Sequence, residues 1–261
     1  MLLKVYMKVN ISLLQIKVVA GNIEKNFETV INYLMKLPEK NYHFAVLPEL
    51  WASGYSYENI DFCAKYTTEN IYKLEKIAFE KNLNIIGSVP YIEKNNLYNR
   101  NLFINNKGEI ASYYNKIHLF KPLKEDKYFK KGEKICFVKD PIPFGLTLCY
   151  DLRFPELFRI LTIKGALIIF ISAQWPKARL THWKILNIAR AIENQIFIVS
   201  CNCVGFLNEI EFGGNSMIVN PDGEILAELS NNEEIFSCII ETDEINKSKS
   251  LFDIKKDITL I

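Results

Sequence analysis

The chain has 261 residues, of which 49% are apolar and 24% charged, and 32 basic against 30 acidic residues leave a formal charge of +2. A chain of this length buries roughly 70–75% of its unfolded surface, so its core needs no disulfide or metal staple. The balanced charge, with basic pairs no longer than Lys130-Lys131 and Lys255-Lys256, argues against nucleic acid or an anionic membrane as the main partner.

In chain order, the first eight residues lack an apolar stretch followed by a small-residue cleavage site. They read as no signal peptide, with Met7 as an alternative start. Residues 8–19 are strand-like. Residues 22–37 read as a helix, because Ile23, Phe27, Val30, Ile31, Leu34 and Met35 fall near a 3.6-residue period and Pro38 stops it. A short buried strand is expected over 43–47, an amphipathic helix over 69–81 and a strand over 83–91. Two hairpin-like units follow, 101–104 with 109–114 and, further on, 216–219 with 224–229. Each turns through a segment ending in Gly, Asn105-Asn106-Lys107-Gly108 and Asn220-Pro221-Asp222-Gly223. Between them come a strand over 143–148, a helix over 155–164 opening with Pro155, a strand over 166–171, a helix over 180–194 and a strand over 195–202. Residues 234–241 close the series.

No apolar run reaches the ~18–20 residues of a membrane span; the longest, 166–171, has strand length. The six cysteines at 63, 136, 149, 201, 203 and 238 do not form a disulfide framework. Cys201-x-Cys203 has no second cysteine or histidine pair at zinc spacing, and three scattered histidines give no metal set. Gly205, Gly213 and Gly214 form no phosphate loop and read as turns. These features point to a protein without cofactor or metal in a reducing, cytoplasmic setting. Interleaved strands and helices argue for an α/β fold with mixed sheets. Several strands are apolar on both faces, which requires cover on both. Two sheets packed face to face with helices outside accommodate this pattern better than one long sheet. Nothing marks a linker, so residues 1–261 are taken as one domain.

Polar residues at the ends of buried strands are the informative ones in such a fold. Three places qualify: Glu49 after Leu47-Pro48, Lys116 within Tyr113-Tyr114-Asn115-Lys116-Ile117-His118-Leu119-Phe120, and Cys149 at the end of Phe144-Gly145-Leu146-Thr147-Leu148. Taken singly, each has a plainer reading. Free Cys is among the most buried residue types, a Glu after a strand is usually a cap or turn, and a Lys in an apolar stretch usually snorkels.

Taken together, Leu-Pro-Glu49, Asn-Lys116-Ile-His-Leu-Phe and Cys149-Tyr-Asp-Leu-Arg-Phe-Pro-Glu resemble the three motifs of the nitrilase superfamily of carbon–nitrogen hydrolases, in that family's order. The resemblance runs from about residue 8 to about 241. Ala173-Gln174-Trp175-Pro176, His182-Trp183, the segment 189–195, Cys201-Asn202-Cys203-Val204-Gly205 and Asn220-Pro221-Asp222-Gly223-Glu224 are similar to its ω-amidase branch. Bacterial members commonly carry Asn where Gln174 stands and Arg where Cys203 stands. The resemblance implies a four-layer α-β-β-α sandwich, a homodimer, and hydrolysis of a small-molecule amide through a thioester. Its specific form is ω-amidase activity on 2-oxo-dicarboxylate monoamides such as α-ketoglutaramate and α-ketosuccinamate. The alternatives are a deaminated-glutathione amidase, another aliphatic amidase or nitrilase of the superfamily, and a non-catalytic scaffold with the same fold.

Such a reaction needs a thiolate, a base, oxyanion donors and an activated water. The expected roles are Cys149 as nucleophile, Glu49 as base, and Lys116 with the backbone N–H of Tyr150 as oxyanion donors. Glu125 falls at the spacing of the family's second carboxylate and would orient Lys116 or water; otherwise it is a solvated loop acid. Arg153 either binds a substrate carboxylate in bidentate fashion or pairs with Glu156. Trp175 either walls the pocket or packs in the core. A Cys–His arrangement is the rival, with His43, His118 and His182 as candidates.

Overall fold

The computed structural model describes residues 6–140 and 142–259; the reading of the chain's first five residues falls outside them. Fourteen strands appear among the described residues: β1 (Lys8–Gln15), β2 (His43–Val46), β3 (Leu83–Glu93), β4 (Asn96–Ile104), β5 (Ile110–Asn115), β6 (Cys136–Val138), β7 (Phe144–Leu148), β8 (Ile168–Ala173), β9 (Phe197–Asn202), β10 (Val204–Leu207), β11 (Ile210–Gly213), β12 (Met217–Val219), β13 (Ile225–Glu228) and β14 (Glu234–Glu241). Two six-stranded sheets run in the orders β14-β1-β2-β3-β4-β5 and β13-β12-β9-β8-β7-β6, with β10-β11 a separate hairpin. Each sheet is mixed. Three neighbouring strands are parallel, β1-β2-β3 in one and β7-β8-β9 in the other, and antiparallel strands extend both edges.

The sheets face each other through apolar side chains. Phe44 of β2 stacks on Phe170 of β8 at 5.2 Å, and Phe103 of β4 meets Phe144 of β7 at 4.9 Å. Helices cover the outer faces. On the first sheet these are α1 (Ile23–Lys36), α2 (Ile60–Asn70) and α3 (Tyr72–Glu80). Next in the chain come the single turn α4 (Glu125–Tyr128) and then α5 (Pro155–Ile163) and α6 (Leu180–Asn194), which cover the second sheet; α7 (Asp243–Ser248) and α8 (Ile254–Asp257) follow β14. The layers are therefore helix, sheet, sheet, helix, the α-β-β-α sandwich.

Local sequence explains most elements. In α1, Ile23, Phe27, Val30 and Leu34 form one buried stripe, and the Asn22 side chain accepts from the Lys25 N–H at the N-terminus. The helix expected over 69–81 is α3, and a second helix precedes it. The unread helix α2 buries Ile60, Cys63, Ala64 and Thr67, two of them small and one polar, so its apolar period is faint. Strand β4 starts five residues before its expected position. The β3–β4 hairpin turns through Lys94 and Asn95 at φ +48° and +63°, without the Gly that marked the other two turns. Gly205 and Gly213, read as turns, lie inside the β10–β11 hairpin.

His43 is fully buried in β2. Its Nδ1–H donates to the Pro38 carbonyl at 3.2 Å, which leaves Nε2 to accept from Ser12 Oγ at 2.7 Å. Burial holds its pKa down at about 4. In the unfolded chain the ring titrates near ~6.5, so its contribution to stability is whole above that pH and is lost as pH falls toward 4. A loss of about 3 kcal/mol is expected across that window. Denaturant unfolding at stepped pH should show this part of the slope missing in His43→Gln; equal slopes would rule it out.

Candidate active site

The two sheets meet at the ends of their parallel strands, and there the polar residues converge. Glu49 lies three residues beyond β2. Its N–H donates to the Ala173 carbonyl at the end of β8, and the Gln174 side chain donates back to the Glu49 carbonyl at 2.7 Å. The loop after one sheet is thus fastened to the other. Gln174, one of the two departures from the bacterial pattern, makes this tie with its longer amide. Cys203, the other, is buried in the apolar cluster with Phe212 and Trp51 and does not line the cleft.

Lys116 follows β5 with its side chain wholly buried. Its Nζ donates to Glu49 Oε1 at 2.7 Å and to both oxygens of Glu125, at 2.9 and 2.7 Å. Glu125 opens α4, and its Oε2 also accepts from the Phe120 N–H. Glu125 is fully buried, so it is no solvated loop acid. Burial alone would strip the proton from Lys116, but the charges of Glu125 and Glu49 outweigh it and raise the ammonium's pKa. Burial also raises the pKa of Glu125, against the opposing pull of Lys116.

Cys149 is the residue where β7 ends and a 3₁₀ turn begins, at φ +40°. A left-handed conformation is costly for a side chain with a Cβ and marks a sharp, over-determined elbow. Asp151, also buried, holds that elbow by accepting from the Leu148 N–H at 2.9 Å. The Cys149 Sγ lies 3.8 Å from the Gln174 carbonyl, and the residue, 8% exposed, lines the cleft. Burial pushes its thiol pKa well up, the Glu49 charge adds to this and Lys116 opposes it. The thiol therefore rests protonated with a carboxylate beside it.

Three further residues complete this cage, outside the motifs. Asn99 donates to Glu49 Oε1 at 2.8 Å and to Glu125 Oε1 at 3.2 Å, spanning both carboxylates. Ser88 fixes Asn99 by donating to its Oδ1 at 2.8 Å. Tyr55 donates to Glu125 Oε1 at 3.2 Å. The signal for Asn99 was the Asn99-x-Asn101 alternation, two amides on one face of a buried strand.

None of the three histidines hydrogen-bonds Cys149. His43 is a core residue. His118 pairs with Asp151 at 2.7 Å and stacks on Phe154 at 3.7 Å. His182 accepts at Nδ1 from Arg153 at 3.4 Å. Arg153 makes no ion pair with Glu156; its guanidinium lies 4.7 Å over the Trp175 ring. Trp175 is packed and also lines the cleft, 2% exposed, against Trp183 on one side and under Arg153 on the other. Tyr150 follows Cys149 directly, its ring tilted against Phe120. Cys149, Tyr150, Arg153 and Trp175 line one cleft.

A thiol beside an ammonium that two carboxylates clamp, set where two sheets meet in an α-β-β-α sandwich, is the arrangement that hydrolysis of an amide-type bond by a thiol would require. The sequence profile of carbon–nitrogen hydrolases matches residues 10–246, and the chain belongs to that family. Within the nitrilase superfamily it falls in the ω-amidase-like branch. It is 39% identical over 259 residues to the 2-oxoglutaramate amidase of Bacillus subtilis, covering 97% of this chain and 100% of that protein. It is 27% identical to an ω-amidase of Pongo abelii, over 95% of this chain and 92% of that one. The crystal structure of a superfamily protein from Xanthomonas campestris, with an arsenic adduct in its active site, matches at a TM-score of 0.91 and 26% identity, over 98% of each chain.

Removing the Glu49 charge removes the second cause of the raised Cys149 pKa. Glu49→Gln should therefore shift the pH profile of iodoacetamide alkylation at Cys149 to lower pH. The measurement is site-resolved mass spectrometry across a pH series; an upward shift would contradict this assignment of the charges.

Proposed function

We propose that this chain is an ω-amidase, hydrolysing the monoamide of a short 2-oxo-dicarboxylic acid to the dicarboxylate and ammonia through a Cys149 thioester. The observation that carries the reading is the buried Glu49–Lys116–Glu125 arrangement at 2.7–2.9 Å beside a protonated thiol. The Cys149 proton passes to Glu49 as sulfur attacks the amide carbon. Lys116 Nζ and the Tyr150 N–H meet the oxygen as it becomes negative. Glu49 then gives the proton to the departing nitrogen, ammonia leaves, and the thioester remains. A water loses its proton to Glu49 and attacks the thioester carbon. Sulfur departs and recovers the proton, leaving a carboxylic acid that ionises. Glu125 keeps Lys116 in place throughout. No step calls for a cofactor or metal.

Arg153 supports a substrate with a distal carboxylate, since its guanidinium lies over Trp175 at the cleft and, among the described residues, has no carboxylate within 4.0 Å. A longer peptide-like amide, as in deaminated glutathione, would extend over the adjoining groove, whose lining carries Lys177 and Arg179 as well as Glu209 and Glu211. Ammonia release from α-ketoglutaramate, deaminated glutathione and a neutral amide tests the reading. The expected result is strongest turnover of α-ketoglutaramate, none in Cys149→Ala, and a loss of about 10²–10⁴-fold in Glu49→Gln. Absence of ammonia above the Cys149→Ala background would leave the scaffold reading.

We also propose a homodimer in the cytoplasm. Its support is the outer helical layer, where α5 and α6 pack together and leave Ile160, Ile185 and Ile192 exposed. No helix among the described residues is long and apolar enough to cross a membrane. Sedimentation should give a dimer for the native chain and a monomer for Ile185→Glu; a native monomer refutes the pairing.

A further inference from the structure

Arg153 has a cationic neighbour that the motifs do not mark. Arg179 stands in the turn before α6 and borders both the Cys149 cleft and the groove outside it. Its backbone is fixed to the cleft wall, because the Trp175 Nε1–H donates to the Arg179 carbonyl at 2.8 Å. Trp175 therefore carries the Arg153 guanidinium on its face and holds the Arg179 main chain with its edge. The two guanidinium charges are near enough that, after burial, Arg179 is the next cause lowering the Arg153 pKa.

Neither arginine is neutralised. The described residues include no carboxylate within 4.0 Å of either guanidinium. Glu211, which lines the same groove, is taken by Lys177 at 2.8 Å. His182 accepts from Arg153 and supplies no negative charge. Two like charges held together without an acid between them are unfavourable until an anion arrives.

We propose that Arg179 is a specificity-determining residue, a second cation that closes with Arg153 on the substrate's carboxylate at the mouth of the cleft. This rests on the reading of the substrate as a carboxylate-bearing amide. Arg153 offers its planar fork, Arg179 a solvent-side donor, and a carboxylate has lone pairs for both. A neutral amide of the same length presents nothing to either. The product carries a second carboxylate where the amide was, and its original one stays at the same mouth, so the product should compete with substrate through the same two arginines.

The test is steady-state kinetics of the full chain on α-ketoglutaramate and on butyramide, an uncharged short amide, together with inhibition by 2-oxoglutarate. Arg179→Ala should raise KM for α-ketoglutaramate about tenfold with kcat changed less than about threefold, the signature of lost ground-state binding by one exposed charge-assisted bond. Arg179→Glu should raise KM further, and Arg179→Lys should recover most of the loss. The 2-oxoglutarate inhibition constant should follow the same order. A role confined to shaping the loop would not produce an order of Lys, Ala, Glu set by charge. Preference for α-ketoglutaramate over butyramide that persists through Arg179→Ala and Arg179→Glu overturns the proposal and leaves the substrate reading standing. A native chain with no such preference overturns both.

Discussion

One ammonium group organises this site. Lys116 is buried between Glu49 and Glu125, and neither carboxylate is solvated enough to be stable there without it. Taking such charges out of water costs several kcal/mol per ion, returned only when geometry is good and the remaining lone pairs are filled. Here they are filled: Asn99 spans both acids, the Gln174 N–H reaches Glu49 Oε2, and Tyr55 and the Phe120 N–H reach Glu125. The consequence for chemistry is the state of the sulfur. A thiolate beside two carboxylates and one ammonium would add negative charge to a dry cage. Passing the proton from Cys149 to Glu49 moves it between two members of the cage and leaves the total charge unchanged. In the proposed reaction the nucleophile therefore forms at the moment of attack, without standing ionised beforehand.

The fold exists, as far as this site is concerned, to bring two sheets to one point. Glu49, Asn99 and Lys116 come from the first sheet and Cys149 and Gln174 from the second. The alignment depends on the phenylalanines packed between the sheets and on the direct ties from Glu49 to Ala173 and Gln174. Gly132 belongs to the same requirement. Its N–H bonds the Lys116 carbonyl at 2.7 Å, and a Cβ there would meet the Asn115 carbonyl oxygen at 2.0 Å. Only glycine lets that loop lie flat against the lysine strand.

Sequence showed the parts of this arrangement that are local. Strands 43–46 and 144–148, helix 180–194 and strand 234–241 announce themselves because their apolar residues are large and regularly spaced. The motif residues were legible because a charged or nucleophilic group directly after such a strand is unusual chemistry in an unusual place. Helix α2 was hidden by its small buried residues, and the β3–β4 hairpin by a turn that uses Lys94-Asn95 in place of glycine. Losing the start of β4 hid Asn99 as well, since its inward position follows only from the strand's register. Arg153 shows the opposite limit. Its neighbour Glu156 was a reasonable partner along the chain, but at the helix start the chain turns Glu156 outward, and what reaches Arg153 comes from residues 175–182.

The charges of the site are also arranged along an axis. The floor holds two carboxylates and one ammonium, and the mouth holds two unneutralised guanidinium groups. A molecule with a carboxylate at one end and an amide at the other meets this field in only one favourable sense. Its anionic end is drawn to the arginines and repelled from the floor, so the uncharged amide is the end that travels inward to Cys149. The reversed pose would bury a carboxylate against Glu49 and Glu125, where like charges at short range cost most. Orientation is thus set by the site's polarity before any contact is made at the reacting carbon. The same field bears on the end of the reaction. In the proposed pose, hydrolysis converts the inner amide into a carboxylate, and the product then presents negative charge to a negative floor, which favours its departure toward the mouth.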